Sequence, residues 1–252
     1  MLNANSCNRT VECVHTIMHL PEFPKHFSAD MVNLAEDNDV VLSYHNYVVR
    51  SSDVALLEKD DTWLNDIIIG FYFEYLDQQY KKDNKRQLLF IDPGVTQLLK
   101  MQAPLQYNIF LDPIEAITYD FIFFPLNDCE GNEPGGSHWS LLIFSRKDEM
   151  CYHYDSSNSI NRSVAEKFAR NVIKYFLNKR ERRYIEMDCP QQNNCYDCGL
   201  FVLCLADLIS KYILKGLKIS DCDYSIITEM VSKKRMELLG LIMDLRNIHD
   251  NE

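Results

Sequence analysis

Cys198 is the residue of this sequence best placed to act as a nucleophile. It stands in the run NCYDCG (residues 194–199), where a long apolar stretch of helical character begins. A thiol at a helix start faces unpaired backbone N–H groups and the positive end of the helix dipole, and both stabilise the reactive thiolate. Gly199 is expected to let another backbone approach closely. Because most cysteines are packing residues, this assignment requires a partner base.

His138 is the first candidate for that base. It begins a predicted strand, residues 138–144, which a five-residue turn joins to a second strand, residues 150–155. If this hairpin turns around Lys147, Asp155 falls beside His138 on the neighbouring strand. A carboxylate that orients an imidazole, which in turn activates a thiol, is the arrangement that nucleophilic catalysis requires.

An amide donor for a developing oxyanion is the remaining requirement of acyl transfer. Gln191 and Gln192 precede Cys198 by seven and six residues, and the backbone N–H of Cys198 is a second donor. The choice between the two glutamines stays open. His153, two residues before the aspartate on the same strand face, is the competing base, and His138 is preferred because its position at the edge of a loop would be open to substrate.

The elements that must position these residues are predicted from hydrophobic periodicity and turn chemistry. Thr62 is predicted to cap a helix with Asp66 in its first turn, and Pro125 is predicted to end a strand. The remaining strands are predicted at 40–44, 47–49, 87–91, 121–124 and 184–187, and the remaining helices at 95–100, 162–177, 197–214 and 226–248. Helices interspersed with strands around a central hairpin favour an α+β fold.

Composition limits the functions available to the 252-residue chain. Its net charge is −11, from 26 basic and 37 acidic residues, which argues against nucleic acid as a partner. No apolar run approaches the ~18 residues that a membrane span needs, so no membrane partner is expected. The nine cysteines, an odd number without a signal-peptide stretch, predict reduced thiols and a cytoplasmic or nuclear protein.

Two regions of the chain differ in pattern. Residues 1–38 lack sustained periodicity and contain Pro21 and Pro24, so they are predicted to form a poorly ordered N-terminal extension. Regular patterns begin at residue 40, and residues 39–252 are predicted to form a single catalytic domain.

The candidate residues resemble the signature of the ubiquitin-like-protein-specific cysteine proteases, the sentrin/SUMO-specific protease family. That signature is His-Trp, then an Asp ending the next strand, then Gln-x5-Cys-Gly, and the chain has His138-Trp139, Asp155 and Gln192 before Cys198-Gly199. The run from the glutamine pair to the cysteine, QQNNCYDC (191–198), is one residue longer than the Gln-Gln-Asn-x-Tyr-Asp-Cys run usual in the deneddylase branch of this family, which leaves the choice between Gln191 and Gln192 open. Segments resembling the deneddylase branch are VLSY (41–44), WLND (63–66), IIGF (68–71), FEY (73–75), GGSHWSLL (135–142), HYDS (153–156) and KKR (233–235).

This resemblance implies a papain-like cysteine protease fold with a permuted order of catalytic residues and a central, mostly antiparallel sheet flanked by helices. It implies that His138 takes the proton of Cys198 and that Asp155 orients the imidazolium. Gln192 would stabilise the oxyanion. No cofactor and no metal are implied.

The resemblance also implies the substrate, which is a Nedd/Rub-type ubiquitin-like modifier and its protein conjugates, cleaved after the C-terminal diglycine by a monomeric enzyme. Trp63 and Trp139, the only two tryptophans, match aromatics that wall a narrow tunnel in the family. Flat rings leave room for two glycines but not for a Cβ. Asp66 would meet a basic residue of the modifier's tail, although core packing of the tryptophans and a helix-dipole role for Asp66 are the alternatives.

Other functions fit part of the pattern. The same fold could act on SUMO or ubiquitin, and relatives of this clan include acetyltransferases with the same triad. Cys195 and Cys198 could form a redox pair or half of a zinc site, but Cys189, Cys204 and Cys222 do not supply the second close pair that a zinc ribbon needs. A non-catalytic binding module would not need the intact His, Asp, Gln and Cys set.

Overall fold

Consecutive apolar residues between 121 and 144 predict strands that are buried on both faces, and these strands lie at the centre of the fold. The computed structural model describes residues 39–81, 86–131, 135–179, 181 and 183–249; the predicted extension 1–38 lies outside them. The strands are β1 Val40–Tyr44, β2 Tyr47–Arg50, β3 Leu88–Phe90, β4 Phe121–Asn127, β5 Trp139–Ser145, β6 Met150–Tyr154 and β7 Tyr184–Glu186. The helices are α1 Ser51–Leu57, α2 Asp66–Tyr80, α3 Pro93–Met101, α4 Asn108–Leu111, α5 Arg162–Leu177, α6 Cys198–Leu214 and α7 Ile227–His249.

The main sheet is mixed and has the strand order β3-β4-β5-β6-β7. Its three central strands are antiparallel, whereas β3 and β7 pair parallel to their neighbours at the two edges. Leu141 pairs with Tyr154 across the β5–β6 hairpin, so the same register continued past the strand ends places Asp155 opposite Ser140. His138 lies two residues from Ser140 on the same strand face, and it meets Asp155 as a diagonal neighbour. The predicted α+β class is confirmed, and the antiparallel arrangement holds for the centre of the sheet.

Helices cover both faces of the sheet. On one face α2, α6 and α7 pack with residues such as Phe123, Leu141 and Ile143, and on the other α5 packs with residues such as Phe124 and Phe144. Helix α6 is buried on nearly every side, as its apolar sequence predicts. Within the described residues, no helix combines the length and hydropathy needed to cross a membrane.

Two predicted boundaries are wrong. Strand β4 continues through Pro125, which pairs with Leu141. Proline is tolerated at this position because β3 pairs with β4 only as far as Phe123, so the N–H that Pro125 lacks would not have bonded to β3. Helix α2 is capped by Asn65, whose side chain accepts a hydrogen bond from the N–H of Ile68 at 3.0 Å. The Thr62 hydroxyl instead donates to the main-chain carbonyls of Leu56, at the end of α1, and Lys59, in the loop that follows α1.

Two helical glycines predict opposite effects of the same substitution. A Cβ at Gly70 of α2 would lie 2.2 Å from the hydroxyl oxygen of Tyr47, whereas a Cβ at Gly240 of α7 would have no heavy atom within 4 Å. Gly70→Ala should therefore lower the free energy of unfolding by about 1–3 kcal/mol, and Gly240→Ala should raise it by up to ~1 kcal/mol. Denaturant unfolding of both variants tests this; stabilisation by Gly70→Ala would contradict the tight packing.

Candidate active site

Cys198 is the first residue of α6 and lies at the positive end of this helix. Asp197 precedes it as N-cap without a side-chain cap bond, so α6 begins without a capping carboxylate on its N–H groups. The Cys198 side chain is buried and lines a groove. Packing requires a glycine at 199, because a Cβ there would lie 2.9 Å from the Cβ of Leu64.

His138 and Asp155 form a buried pair beside this thiol. The Nε2 atom of His138 lies 2.6 Å from Oδ1 of Asp155, and the two side chains are 6% and 0% exposed. The same carboxylate accepts hydrogen bonds from the main-chain N–H groups of Ser157 and Asn161, each at 2.8 Å. Asp155 is therefore held from three directions, and it in turn orients the imidazole.

The electrostatics of the pair favour a charged imidazole. Burial alone would lower the pKa of His138, but its hydrogen bonds to Asp155 and Cys198 and the charges of both partners outweigh burial and raise the pKa to about 9. An imidazolium that persists at neutral pH stabilises a neighbouring thiolate and can donate a proton to a leaving group. The three side chains together can perform nucleophilic acyl transfer.

His153, the competing base, lies outside this arrangement. Its ring is fully buried, with Nδ1 at 3.0 Å from Glu186 and Nε2 at 3.0 Å from the hydroxyl of Ser140. The hydroxyl of Tyr184 also lies 2.9 Å from Nδ1. Both ring nitrogens are thus occupied by partners inside the sheet.

A groove of about 1090 Å³ leads to Cys198, and both tryptophans line it. The indole N–H of Trp63 donates to the carbonyl of Cys195 at 2.6 Å, and that of Trp139 donates to the carbonyl of Leu64 at 3.2 Å. Trp63 remains 50% exposed. Trp63 is thus tied to the loop that precedes α6, and Trp139 is tied to the residue that follows Trp63.

Asp66 also lines the groove, at the first position of α2. Its place at the helix start fits the helix-dipole role, and its exposure to the groove fits contact with a basic ligand. Among the described residues that line the groove, Asp66 and Asp92 are carboxylates and none is Lys or Arg.

The two glutamines differ in how their amide N–H groups are used. The Nε2 atom of Gln191 donates to the carbonyls of Asp155 and Cys189, at 3.0 and 2.9 Å. The Nε2 atom of Gln192 donates to the carbonyl of Asn194 at 2.7 Å. Since a primary amide has two N–H groups, these bonds occupy both hydrogens of Gln191 and one of Gln192.

Comparison with known proteins identifies the family. Residues 62–236 match the family described as "Ulp1 protease family, C-terminal catalytic domain". The chain belongs to this family. It is therefore a cysteine-type peptidase, and the acetyltransferase, redox and zinc alternatives are not needed to explain its motifs.

Two curated relatives of this Ulp1-family protease illustrate its place in the family. Sentrin-specific protease 8 of Rattus norvegicus is 37% identical over 213 residues, covering 82% of this chain and 95% of the relative. NEDD8-specific protease 1 of Arabidopsis thaliana is 30% identical over 219 residues, covering 83% and 95%.

Solved structures share the fold. A structure of the SUMO protease Ulp1 with its catalytic cysteine oxidised to a sulfinic acid matches with a TM-score of 0.62 at 22% identity, covering 84% of this chain and 91% of that one. The C-terminal Ulp1 protease domain in complex with Smt3, the yeast ortholog of SUMO, matches with a TM-score of 0.59 at 23% identity, covering 84% and 90%.

Asn161 is a residue of the site that sequence reasoning missed. It is fully buried and precedes α5 as its N-cap, yet its side chain makes no cap bond. Its amide nitrogen instead lies 3.0 Å from the Ser140 hydroxyl and 3.4 Å from the carbonyl of His138. An asparagine just before a helix predicts an N-cap hydrogen bond. That rule predicts where Asn161 lies, but it does not predict its hydrogen bonds to Ser140 and His138.

The loop before His138 is also held by groups that periodicity did not identify. The Asp128 carboxylate accepts hydrogen bonds from the N–H groups of Ser137 and His138, at 2.6 and 3.1 Å. Gly136 has a φ of +97°, and a Cβ there would overlap the side chain of Asn127. The described residues contain no group of three or more His, Cys, Asp or Glu side chains placed to hold a metal ion.

The raised pKa of His138 predicts the alkaline limit of activity. Asp155→Asn removes the charge that raises this pKa and replaces a charge-assisted hydrogen bond by a weaker neutral one, so the alkaline limb of kcat/KM, expected near pH 9 in the wild type, should move to lower pH. At pH 8 kcat/KM should fall about 100-fold or more. A pH–rate profile measures both effects.

Asp148→Asn is the matched control, because it removes a carboxylate from the turn of the same hairpin, where Asp148 accepts a hydrogen bond from Ser145. Asp148→Asn should leave the alkaline limb of the kcat/KM profile near pH 9. An unchanged limb in Asp155→Asn would contradict the assignment of His138.

Proposed function

We propose that this protease cleaves after the C-terminal diglycine of a Nedd/Rub-type ubiquitin-like modifier, both in precursors and in conjugates. The proposal depends on one observation: the buried Asp155–His138 pair meets Cys198 at the start of α6, in a groove that Trp63 and Trp139 also line. The names of the relatives, sentrin-specific protease 8 and NEDD8-specific protease 1, support the choice of modifier.

The proposed reaction has two stages. The Nε2 atom of His138 is held by Asp155, so its Nδ1 atom holds the proton taken from Cys198, and the thiolate of this ion pair attacks the carbonyl of the last glycine. The C–N bond breaks as the imidazolium protonates the leaving amine, and a thioester remains. Water then gives a proton to His138 and attacks the thioester; the C–S bond breaks, the thiol is restored, and the modifier leaves with a free carboxylate.

Gln192 is the proposed side-chain donor to the oxyanion. One of its amide hydrogens lacks a partner among the described residues, while both hydrogens of Gln191 bind main-chain carbonyls. The Gln192 carbonyl accepts a hydrogen bond from the Ser156 hydroxyl at 2.7 Å, which orients the amide. The N–H of Cys198 is the proposed second donor.

Groove residues and the remaining properties follow from the same proposal. The rings of Trp63 and Trp139 admit a glycine pair and exclude larger residues, and Asp66 meets a basic residue of the modifier's tail. The enzyme is proposed to act as a monomer in the cytoplasm or nucleus, through one catalytic domain over residues 39–252, without nucleic acid.

Substrate comparison tests the proposed function. The wild type should hydrolyse a C-terminal fluorogenic amide of a Nedd-type modifier with a kcat/KM at least about tenfold above those for the SUMO and ubiquitin amides. A Nedd-type modifier with a C-terminal electrophile should label Cys198, and Cys198→Ala should abolish both labelling and hydrolysis. Cys222→Ala, which changes a buried cysteine outside the groove, should retain them. Equal rates on the three modifiers would contradict the selectivity, and hydrolysis by Cys198→Ala would contradict the nucleophile.

Paired glutamine variants test the oxyanion donor. Gln192→Ala should lower kcat by about 10²–10³-fold, with little change in the rate at which iodoacetamide alkylates Cys198, because alkylation forms no oxyanion. Gln191→Ala should chiefly lower the free energy of unfolding, because it removes the support of the Asp155 carbonyl. Loss of kcat confined to Gln191→Ala would reverse the assignment.

A further inference from the structure

Arg235 is a buried cation of α7 that the reaction scheme does not use. It is the last residue of the KKR segment (233–235), and its side chain is 9% exposed. Its Nη1 atom donates to the carbonyl of Leu56 at 2.8 Å and its Nη2 atom to the carbonyl of Thr62 at 2.6 Å. Nη2 also lies 3.3 Å from Oδ1 of Asp197.

These partners lie next to two residues of the groove. Thr62 immediately precedes Trp63, and Asp197 immediately precedes Cys198. A single guanidinium therefore joins the segment that carries one groove wall to the segment that carries the thiol.

Neighbouring bonds strengthen this connection. The indole of Trp63 donates to the carbonyl of Cys195, within the loop that leads into α6. In the same loop, Asn194 donates to Oδ2 of Asp197 at 2.8 Å and accepts a hydrogen bond from the N–H of Asp197 at 3.0 Å. Asp197 thus connects the ordered loop to the guanidinium, and Arg235 connects Asp197 to the Trp63 segment.

We propose that Arg235 is a positioning residue that sets the separation between the Trp63 wall and Cys198. The inference rests on the proposed function, since a diglycine must pass that wall to bring its carbonyl to the thiol. A displacement of about 1 Å at a reacting centre can cost 10²-fold in rate. Arg235 touches neither the substrate nor the reacting atoms.

The shape of the guanidinium is essential to this role. Arginine presents five N–H donors in a rigid plane, which suits acceptors on two separate segments. Lysine retains the charge but concentrates three donors at one atom. Arg235→Lys should therefore keep α7 in place while loosening the connection between Thr62 and Asp197.

Lys234 offers a matched control on the same helix. Its side chain is 3% exposed, and its Nζ atom bonds the Tyr72 hydroxyl at 3.2 Å and Glu237 at 2.9 Å. Neither partner lines the groove. Lys234→Met removes a buried cation of α7 without touching the Trp63 segment or the Asp197 loop.

Kinetics separate positioning from general stability. Arg235→Lys should lower kcat/KM for the Nedd-type modifier amide by about 10–100-fold, while the rate at which iodoacetamide alkylates Cys198, followed by peptide mass, stays within about twofold of the wild type. Lys234→Met should stay within about twofold in both assays at a temperature where it is folded. The proposal is wrong if Arg235→Lys lowers the alkylation rate together with the hydrolysis rate, or if it keeps full hydrolysis. It is also wrong if Lys234→Met lowers kcat/KM as much as Arg235→Lys does.

Tryptophan fluorescence supplies a readout that does not depend on the substrate. In a Trp139→Phe background Trp63 is the sole tryptophan, so Arg235→Lys should increase acrylamide quenching of Trp63 and shift its emission to longer wavelength, whereas Lys234→Met should not. Unchanged Trp63 fluorescence would overturn the proposal. A wild-type enzyme inactive on all three modifier amides would instead refute the proposed function, and the fluorescence result would still decide the role of Arg235.

Discussion

The buried carboxylate of Asp155 is the group on which the rest of the site depends. A carboxylate removed from water costs several kcal/mol unless it is paired and hydrogen-bonded. Here one oxygen accepts from His138 and Ser157 and the other from Asn161. The chain after β6 must therefore turn so that two N–H groups point back at the strand end, and the turn contains two successive residues with positive φ, 158 and 159.

The same requirement links the sheet to the helices around it. Asn161, which donates a hydrogen bond to Asp155, also donates one to the Ser140 hydroxyl. The Ser140 hydroxyl in turn lies within hydrogen-bond distance of His153, whose other ring nitrogen pairs with Glu186. This chain of hydrogen bonds runs from the β7 edge to the reacting imidazole. His153 thus belongs to the support of the site, although its residue type and strand position made it a rival base.

Sequence reasoning predicted those parts of the site that follow from periodicity. A hairpin repeats every two residues, so the order and spacing of His138 and Asp155 fix their proximity, and an apolar run that begins at Cys198 fixes the thiol at a helix start. Choices between adjacent polar residues, such as Gln191 and Gln192, required knowing which N–H groups were already bonded. The role of Arg235 was not predicted, because its acceptor Thr62 lies 173 residues away in the sequence. A polar contact between residues so far apart leaves no periodic pattern in the sequence.

Apolar packing brings together the two elements that carry the thiol and the imidazole. Cys198 is carried by α6 and His138 directly precedes β5, and these two elements meet through one hydrophobic core that includes Leu141, Ile143 and Leu203. Protein cores are packed so closely that one added or missing methylene group changes the stability of the fold and the positions of neighbouring elements. This interface therefore contributes to the separation of the reacting groups. The hydrogen bonds of Asp155 then set the orientation of the imidazole and its charge. The packed core thus contributes to the position of the reacting groups, and the hydrogen bonds of Asp155 contribute to their orientation and charge.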